Sequence, residues 1–345
     1  MPQSSLLIEG IGGIGGVMAA RLIQAGHTPT LVTHNPAITE AINRDGLRLI
    51  APAGSEEIIP AQAFTTLDEA ADSGPFDAAY LIMKADGVVA AARQTVPLLA
   101  PDGYVVTFQN GIVEDAVAEA IGAARVVSGI IGWGGTMHAP GVYEQTSPGQ
   151  THIGELDGRL SDRVRALGTV LKAVTPVVIS RSIRGASWSK LAINCTINSP
   201  GVITGQTLGE MLRERRVRRL FLHIYREVVD TATAHGIQLE RVAANPRLLY
   251  LPRDAGPLTV LLKDLITRFV GYKYRRIKSS SLQSLERGRK TEIDYLNGYV
   301  VRQAQAVGLD VPVNAALVRM VKEIEAGERP ITPANMGDLL AEAQG

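Results

Sequence analysis

Lys190, Asn194 and Asn198 stand four residues apart in KLAINCTIN, residues 190–198. Leu191, Ala192, Ile193, Cys195 and Ile197 around them read as buried helix. At 3.6 residues per turn the three polar side chains drift only about 80° around the axis, so they share one stripe. A buried amide without a partner costs roughly 1–3 kcal/mol, and an unpaired ammonium more. The stripe must therefore meet something polar. It is either a structural network, with the lysine on a carboxylate and the amides on backbone, or the wall of a pocket for a polar ligand. In a pocket wall Lys190 suits general-acid chemistry, because burial lowers the pKa of an ammonium. Its place near the start of the helix, after Ser187-Trp188-Ser189, adds a dipole pushing the same way.

A carboxylate of matching interest is Glu292. Thr291 and Asp294 have capping-box spacing, which predicts a helix from Thr291 to about Gly308 with Ile293, Leu296, Val300 and Val307 as its core stripe. Glu292 falls in the first turn beside that stripe. It is either a surface carboxylate satisfying the helix dipole or a partner for Lys190.

These groups need a scaffold. SLLIEGIGGIGGVMAARLIQAGH carries G-x-G-x-x-G at Gly10, Gly12 and Gly15, between an apolar strand and an alanine-rich helix. That context suits a dinucleotide pyrophosphate: a tight turn, a close backbone approach, then helix packed on strand, with the helix N-terminus facing phosphate. The loop to hold it is Gly10, Ile11, Gly12, Gly13, Ile14 and Gly15. The second strand ends TLVT-His34-Asn35, without the Asp or Glu that commonly binds the ribose of NAD, so NADP is expected and His34 is its candidate contact. Lys84 after AAYLIM and Asn110 after VVTFQ stand at carboxyl ends of predicted strands, where open α/β sheets bind ligands.

Up to about residue 180, LLIEG, TLVT, AAYLIM, YVVTF, RVVSGII and VVIS alternate with helical stretches, the pattern of a βαβ sheet. Beyond Arg181 long helical periodicities take over. One is expected over 208–234, opened by a Thr207/Glu210 capping box and stopped at Gly236. Two domains are therefore expected, 1–180 and 181–345. The net charge of +1 supplies no global field towards nucleic acid or membrane, so neither is expected as a partner. Arginine runs such as RERRVRR (213–219) read as a solvated helix face. One cysteine, Cys195, excludes an internal disulfide and a cysteine metal cluster; a buried, inert thiol and no metal site are expected. No apolar run reaches membrane-spanning length, and MPQSSLLIEG lacks the basic start of a secretory signal, so a cytoplasmic protein is expected.

The glycine motif, QNG, KLAINCTIN and SSSLQSLERGRKTEIDYLNG, in this order and spacing between about Leu6 and Pro312, together resemble the ketopantoate reductase (2-dehydropantoate 2-reductase) family. The resemblance implies an α/β chain: an N-terminal Rossmann-type dinucleotide-binding domain followed by an all-α C-terminal domain. It implies NADPH-dependent reduction of the 2-keto group of ketopantoate to pantoate, for pantothenate and coenzyme A synthesis. By resemblance the catalytic lysine falls on Lys190 and the active-site glutamate on Glu292. Asn110, Asn194, Asn198 and Ser280 fall on substrate contacts, Asn110 also touching the cofactor, and Thr136 in GWGGTM on the loop lining the nicotinamide. This chain departs from the family pattern at His34, where Arg is frequent, and at Leu208-Gly209-Glu210, where the family has Asn-Gly-Glu. It departs again at N-S-P-G-V after Asn198 and in a longer 236–280 segment. Three readings stay open: ketopantoate reductase, a reductase of another 2-keto acid, and a non-catalytic NADP(H)-binding regulator. Homodimerisation is open as well.

Overall fold

The computed structural model describes residues 5–50, 54–242 and 245–343. The chain divides into two compact units, one of residues 1–109 and 113–183, the other of residues 110–112 and 184–345.

In the first unit LLIE, apolar apart from its last residue Glu9, as suits a strand covered by helices, forms β1 (Leu6–Glu9), buried throughout. There follow α1 (Gly13–Gln24), β2 (Thr30–Val32), α2 (Pro36–Asp45), β3 (Leu47–Ile50), β4 (Glu56–Ile59) and β5 (Ala63–Phe64). Next come β6 (Phe76–Leu81), α3 (Val88–Thr95), β7 (Leu99–Thr107), α4 (Glu114–Ile121) and β8 (Val126–Ile131). The unit closes with β9 (Gly134–Ala139), β10 (Val142–Ser147), β11 (Thr151–Glu155), α5 (Asp162–Leu171) and β12 (Val177–Ile179).

Eight strands make the main sheet in the order β12-β11-β8-β7-β6-β1-β2-β5. From β5 to β8 all neighbours are parallel, and their sequence along the sheet is the doubly wound Rossmann order, which reverses between β1 and β6. The six strands expected from β-branched runs are all present. The others escaped the pattern because they are short or polar. A second sheet, β4-β3-β10-β9, is built from them. Its β4 is mostly exposed, and β9 reads GGTMHA, with little β propensity of its own. It packs on α1 through Tyr143, whose ring fills the space beside Gly16 and whose hydroxyl donates to the Ile11 carbonyl at 3.0 Å.

The second unit is helical throughout its described residues. Its helices are α6 (Ile183–Thr204), α7 (Leu208–Met211), α8 (Arg215–Ala234), α9 (Pro257–Lys273), α10 (Ser280–Glu286), α11 (Asn297–Ala306), α12 (Pro312–Glu325) and α13 (Asn335–Glu342). Two expected helices differ. The capping box of Thr207 and Glu210 forms, but it opens the single turn of α7, and the chain restarts as α8 after Glu214. The helix expected from Thr291 instead begins at Asn297, after a 3₁₀ turn over Ile293–Tyr295. Thr291 caps only locally: its hydroxyl accepts from the Ile293 amide at 3.2 Å, one residue short of capping-box geometry.

The arginine run is not wholly solvated. Arg218 is buried and binds both carboxylate oxygens of Asp264 at 2.9 and 3.0 Å, while also donating to the Leu212 and Arg213 carbonyls that end α7. Among the described residues no helix is long and apolar enough to cross a membrane.

Candidate active site

The glycine loop lies where the sheet order reverses. Gly10 has φ +101°, and a Cβ there would meet the Ile82 carbonyl carbon at 2.7 Å, so only glycine lets β1 leave the sheet against the end of β6. A Cβ on Gly15 would strike the Gly10 carbonyl oxygen, and one on Gly13 the Gly135 carbonyl oxygen. A Cβ on Gly12 would meet nothing within 4 Å. Gly12 is also the N-cap of α1, and no side chain caps it. The loop is therefore packed at its first and last glycines and open at the middle one, beside an uncapped helix N-terminus suited to phosphate. Ile11 is buried in the core and Ile14 packs on its edge. Thr136 of β9 adjoins this loop, its Cα being 3.0 Å from a Cβ built on Gly13.

His34 is exposed just past β2, and its Nε2 lies 3.2 Å from Oε1 of Glu9. Glu9, the last residue of β1, is fully buried, and its other oxygen accepts from the Thr95 hydroxyl at 3.1 Å. Burial pushes the Glu9 carboxyl up, against the pull of His34 and Thr95. The end of β2 lacks an acid, as the sequence shows, but the fold brings one to it from the neighbouring strand. Its only trace in the sequence is a charged residue inside an otherwise apolar strand. Half-buried Lys84 follows β6 and precedes a short 3₁₀ turn. Gln109, passed over in favour of its neighbour, clasps the ends of two strands: its amide donates to the Leu81 and Met83 carbonyls at 2.8 and 3.2 Å.

In the second unit Lys190 sits on α6. Trp188, packed against Tyr299 and His235 with ring centroids 5.7 and 6.4 Å away, fixes the helix, as does Ser189, which donates to the Glu240 carbonyl. Leu191 and Ala192 are buried beside it. Lys190 is half-buried, and desolvation lowers its pKa to about 8, with the charge of Glu292 pulling the other way. The helix begins at Ile183, about two turns before Lys190, and not near Ser187-Trp188-Ser189 as expected. The dipole expected to act on Lys190 has faded at that depth, so desolvation is the cause.

Glu292 is half-buried and opens the 3₁₀ turn before α11, with no side-chain cap of its own. Asn110 donates to its Oε2 at 3.4 Å. The following Gly111 has φ +85°, and a Cβ there would lie 2.3 Å from the Tyr295 carbonyl oxygen. Lys190, Glu292 and Asn110 thus meet within one unit, although 182 residues separate Asn110 from Glu292 in sequence.

The other two members of the stripe differ from each other. The Nδ2 of Asn194 is buried with no partner among the described residues, an orphan donor of the kind a ligand acceptor would satisfy. Asn198 is buried, and its Oδ1 accepts from both the amide and the hydroxyl of Ser280 at 3.3 and 3.2 Å. Asn198 therefore holds the start of α10 through Ser280, its exposed first residue, while Ser279 is the N-cap, accepting from the Leu282 amide.

Beneath the stripe runs a buried polar chain. Ser199 donates to Asn297, Asn297 donates to Asn314 at 2.8 Å, and Asn314 donates to Glu227 at 2.7 Å. Glu227 also accepts the Val313 and Asn314 amides at the start of α12. Four helices are tied together this way. Cys195 is buried among them, and its thiol pKa is pushed far up.

The fold has known counterparts. The family model described as Ketopantoate reductase PanE/ApbA matches residues 6–158, and that of its C-terminal part matches residues 182–325. A 2-dehydropantoate 2-reductase of Mesorhizobium japonicum is 28% identical over 341 residues, spanning 92% of this chain and 97% of the relative. The crystal structure of a PanE/ApbA family ketopantoate reductase from Ralstonia eutropha JMP134 superposes with a TM-score of 0.78 at 27% identity, covering 94% of this chain and 99% of the other. A D-mandelate dehydrogenase solved with NADH and anilino(oxo)acetate shares the fold, with a TM-score of 0.78 at 19% identity over 94% of this chain and 99% of its own. Two matched family models spanning most of its length place this chain in the ketopantoate reductase PanE/ApbA family of Rossmann-fold oxidoreductases.

Proposed function

We propose that the chain reduces the 2-keto group of ketopantoate to pantoate with NADPH, a step towards pantothenate and coenzyme A. The observation that carries this is the half-buried Lys190, with its pKa near 8 and the charge of Glu292 against it. A lysine so tuned is largely protonated at neutral pH yet can release its proton, as a general acid must. The open Gly12 and the uncapped start of α1 suit a dinucleotide pyrophosphate. A bound reduced nicotinamide supplies the hydride for carbon 2. Lys190 donates a hydrogen bond to the keto oxygen, stabilises the negative charge that develops there, and gives the oxygen its proton, so that carbonyl becomes alcohol. The orphan amide of Asn194 binds an oxygen of the substrate. Glu292, held by Asn110, takes a substrate hydroxyl and keeps Lys190 charged. Asn198 and Ser280 act through α10, whose start they hold. His34 takes the 2′-phosphate of NADP, with Glu9 orienting its ring.

A second reading, reduction of a different 2-keto acid, rests on Leu208 and Glu210. Leu208 is buried in apolar core, and Glu210 is bound to Thr207, so neither is free to offer the polar contact associated with this stretch in the family. The test is loss of NADPH absorbance with purified protein and ketopantoate, repeated with NADH and with Lys190→Ala. Efficient turnover with NADPH that vanishes in the variant supports the first reading. Failure with ketopantoate but turnover of another 2-keto acid supports the second. Full turnover by Lys190→Ala removes both readings.

A further inference from the structure

The charges at the start of α8 oppose its own dipole. Arg215, Arg216, Arg218 and Arg219 crowd its opening residues, and no acid stands in the first turn. The helix dipole disfavours cations at that end, and like charges four apart on a helix repel. Asp264 compensates Arg218, and Glu214 compensates Arg216 at 3.0 Å. The side chains of Arg215, Arg219 and Arg226 make no hydrogen bond or ion pair among the described residues.

These three arginines share one face with His223, because positions 215, 219, 223 and 226 fall within about 80° around the helix axis. The face is not open surface. Residues 251–260, which lead into α9, stand across from it and close a pocket of about 490 Å³, with Arg253 in the lining on that side. No carboxylate lines the pocket among the described residues. The acids further along α8 are engaged: Glu227 accepts from Asn314, and Asp230 accepts from the Tyr250 hydroxyl at 2.9 Å and faces Arg253 at 3.6 Å. Two side chains register the uncompensated charge. The Nε–H of Arg226 is buried with no partner among the described residues, a donor that costs free energy until an acceptor reaches it. The His223 imidazole is held below its usual pKa by burial, and then by the charges of Arg226 and Arg219.

We propose that this pocket binds a small metabolite carrying two or more phosphate groups, gripped by Arg215, Arg219, Arg226 and Arg253. Guanidinium forks match phosphate oxygens in geometry and charge. The length calls for more than one phosphate, since Arg215 to Arg226 spans about 16 Å of helix. The volume is that of a small-molecule site, and Leu251, Pro252 and Val260 on the facing wall suit the carbon part of such a ligand. A nucleic-acid strand fits less well, because no aromatic side chain lines the pocket to stack a base. None of the lining residues belongs to the group around Lys190, so the site is additional to the one the proposed reduction uses.

Calorimetric titration of the full chain with sodium tripolyphosphate, in about 50 mM salt where screening is weak, should give a Kd in the micromolar range, with orthophosphate at least about tenfold weaker. Arg215→Ala with Arg219→Ala, both at exposed positions, should weaken tripolyphosphate by at least about tenfold, and so should Arg226→Met. Arg213→Ala with Arg216→Ala removes the same charge outside the pocket and should leave the Kd within about twofold. The Kd for NADPH, read by fluorescence, should be the same in all these variants. Absence of binding, orthophosphate as tight as tripolyphosphate, or equal effects of the two double substitutions overturns the proposal. A loss of NADPH affinity that tracks the loss of tripolyphosphate would assign the arginines to the cofactor and overturn it too. A single-stranded oligonucleotide that binds more tightly than tripolyphosphate through the same arginines would overturn it in favour of nucleic acid.

Discussion

Raising the pH should switch the enzyme off around pH 8 if Lys190 delivers the proton. An unperturbed lysine titrates near 10.4, whereas desolvation brings Lys190 to about 8. With a pKa of 8 the protonated fraction falls about tenfold between pH 7 and 9; with an unperturbed lysine it barely changes. The quantity to follow is kcat/KM for the keto acid at saturating NADPH, from pH 6 to 10. Glu292→Gln removes the charge that raises the Lys190 pKa, so the descending limb should move to lower pH. The same shift makes a prediction for stability. The folded pKa lies below the unfolded one, so the unfolded state binds the extra proton between about pH 8 and 10.4, and stability rises with pH across that window. Below pH 8 the penalty is complete, about 3 kcal/mol from a shift of roughly 2.5 units. Lys190→Met should therefore abolish turnover while raising the melting temperature at pH 7 by several degrees. A flat rate profile to pH 9.5, or a limb that ignores Glu292→Gln, would refute this account of the lysine.

His34→Ala should raise the KM for NADPH by about 10–100-fold, the worth of one charge-assisted hydrogen bond, and that for NADH much less; an unchanged ratio of the two would remove His34 from the cofactor site. Asn297→Ala leaves Ser199 and Asn314 short of partners and should cost about 2–4 kcal/mol in urea unfolding. An unmoved midpoint would mean that the buried chain does not hold the four helices. Gly111→Ala must place a Cβ 2.3 Å from the Tyr295 oxygen, so kcat/KM should fall at least about tenfold through displaced Asn110. Gly122→Ala, at a similar positive φ but with open space around it, should cost about 1–3 kcal/mol of stability through backbone strain and leave activity alone. Equal activity losses in the two would show that backbone strain, not position, is responsible.

What the sequence made legible and what it hid divide along one physical line. The main sheet's buried strands, the glycine loop and the KLAINCTIN stripe are local patterns, because burial and helical period are written in neighbouring residues. Partnerships across the chain are not written locally. Asn198 has the spacing of a pocket residue, yet its side-chain oxygen Oδ1 serves Ser280, which lies 82 positions away in sequence. Glu9 looks like a strand residue out of place until β2 brings His34 to it. Asp264 on an exposed leucine-rich helix has no reading until Arg218 takes it. In each case a polar group at a structurally apolar position was the visible signal, and its partner was the hidden part. A buried polar side chain must be satisfied by something. For Asn198, Glu9 and Asp264 the fold supplies that partner itself. For the amide of Asn194 it supplies none among the described residues. On the function proposed above, that difference narrows the ligand-facing part of α6 to Asn194 and its neighbour Lys190, rather than the whole stripe.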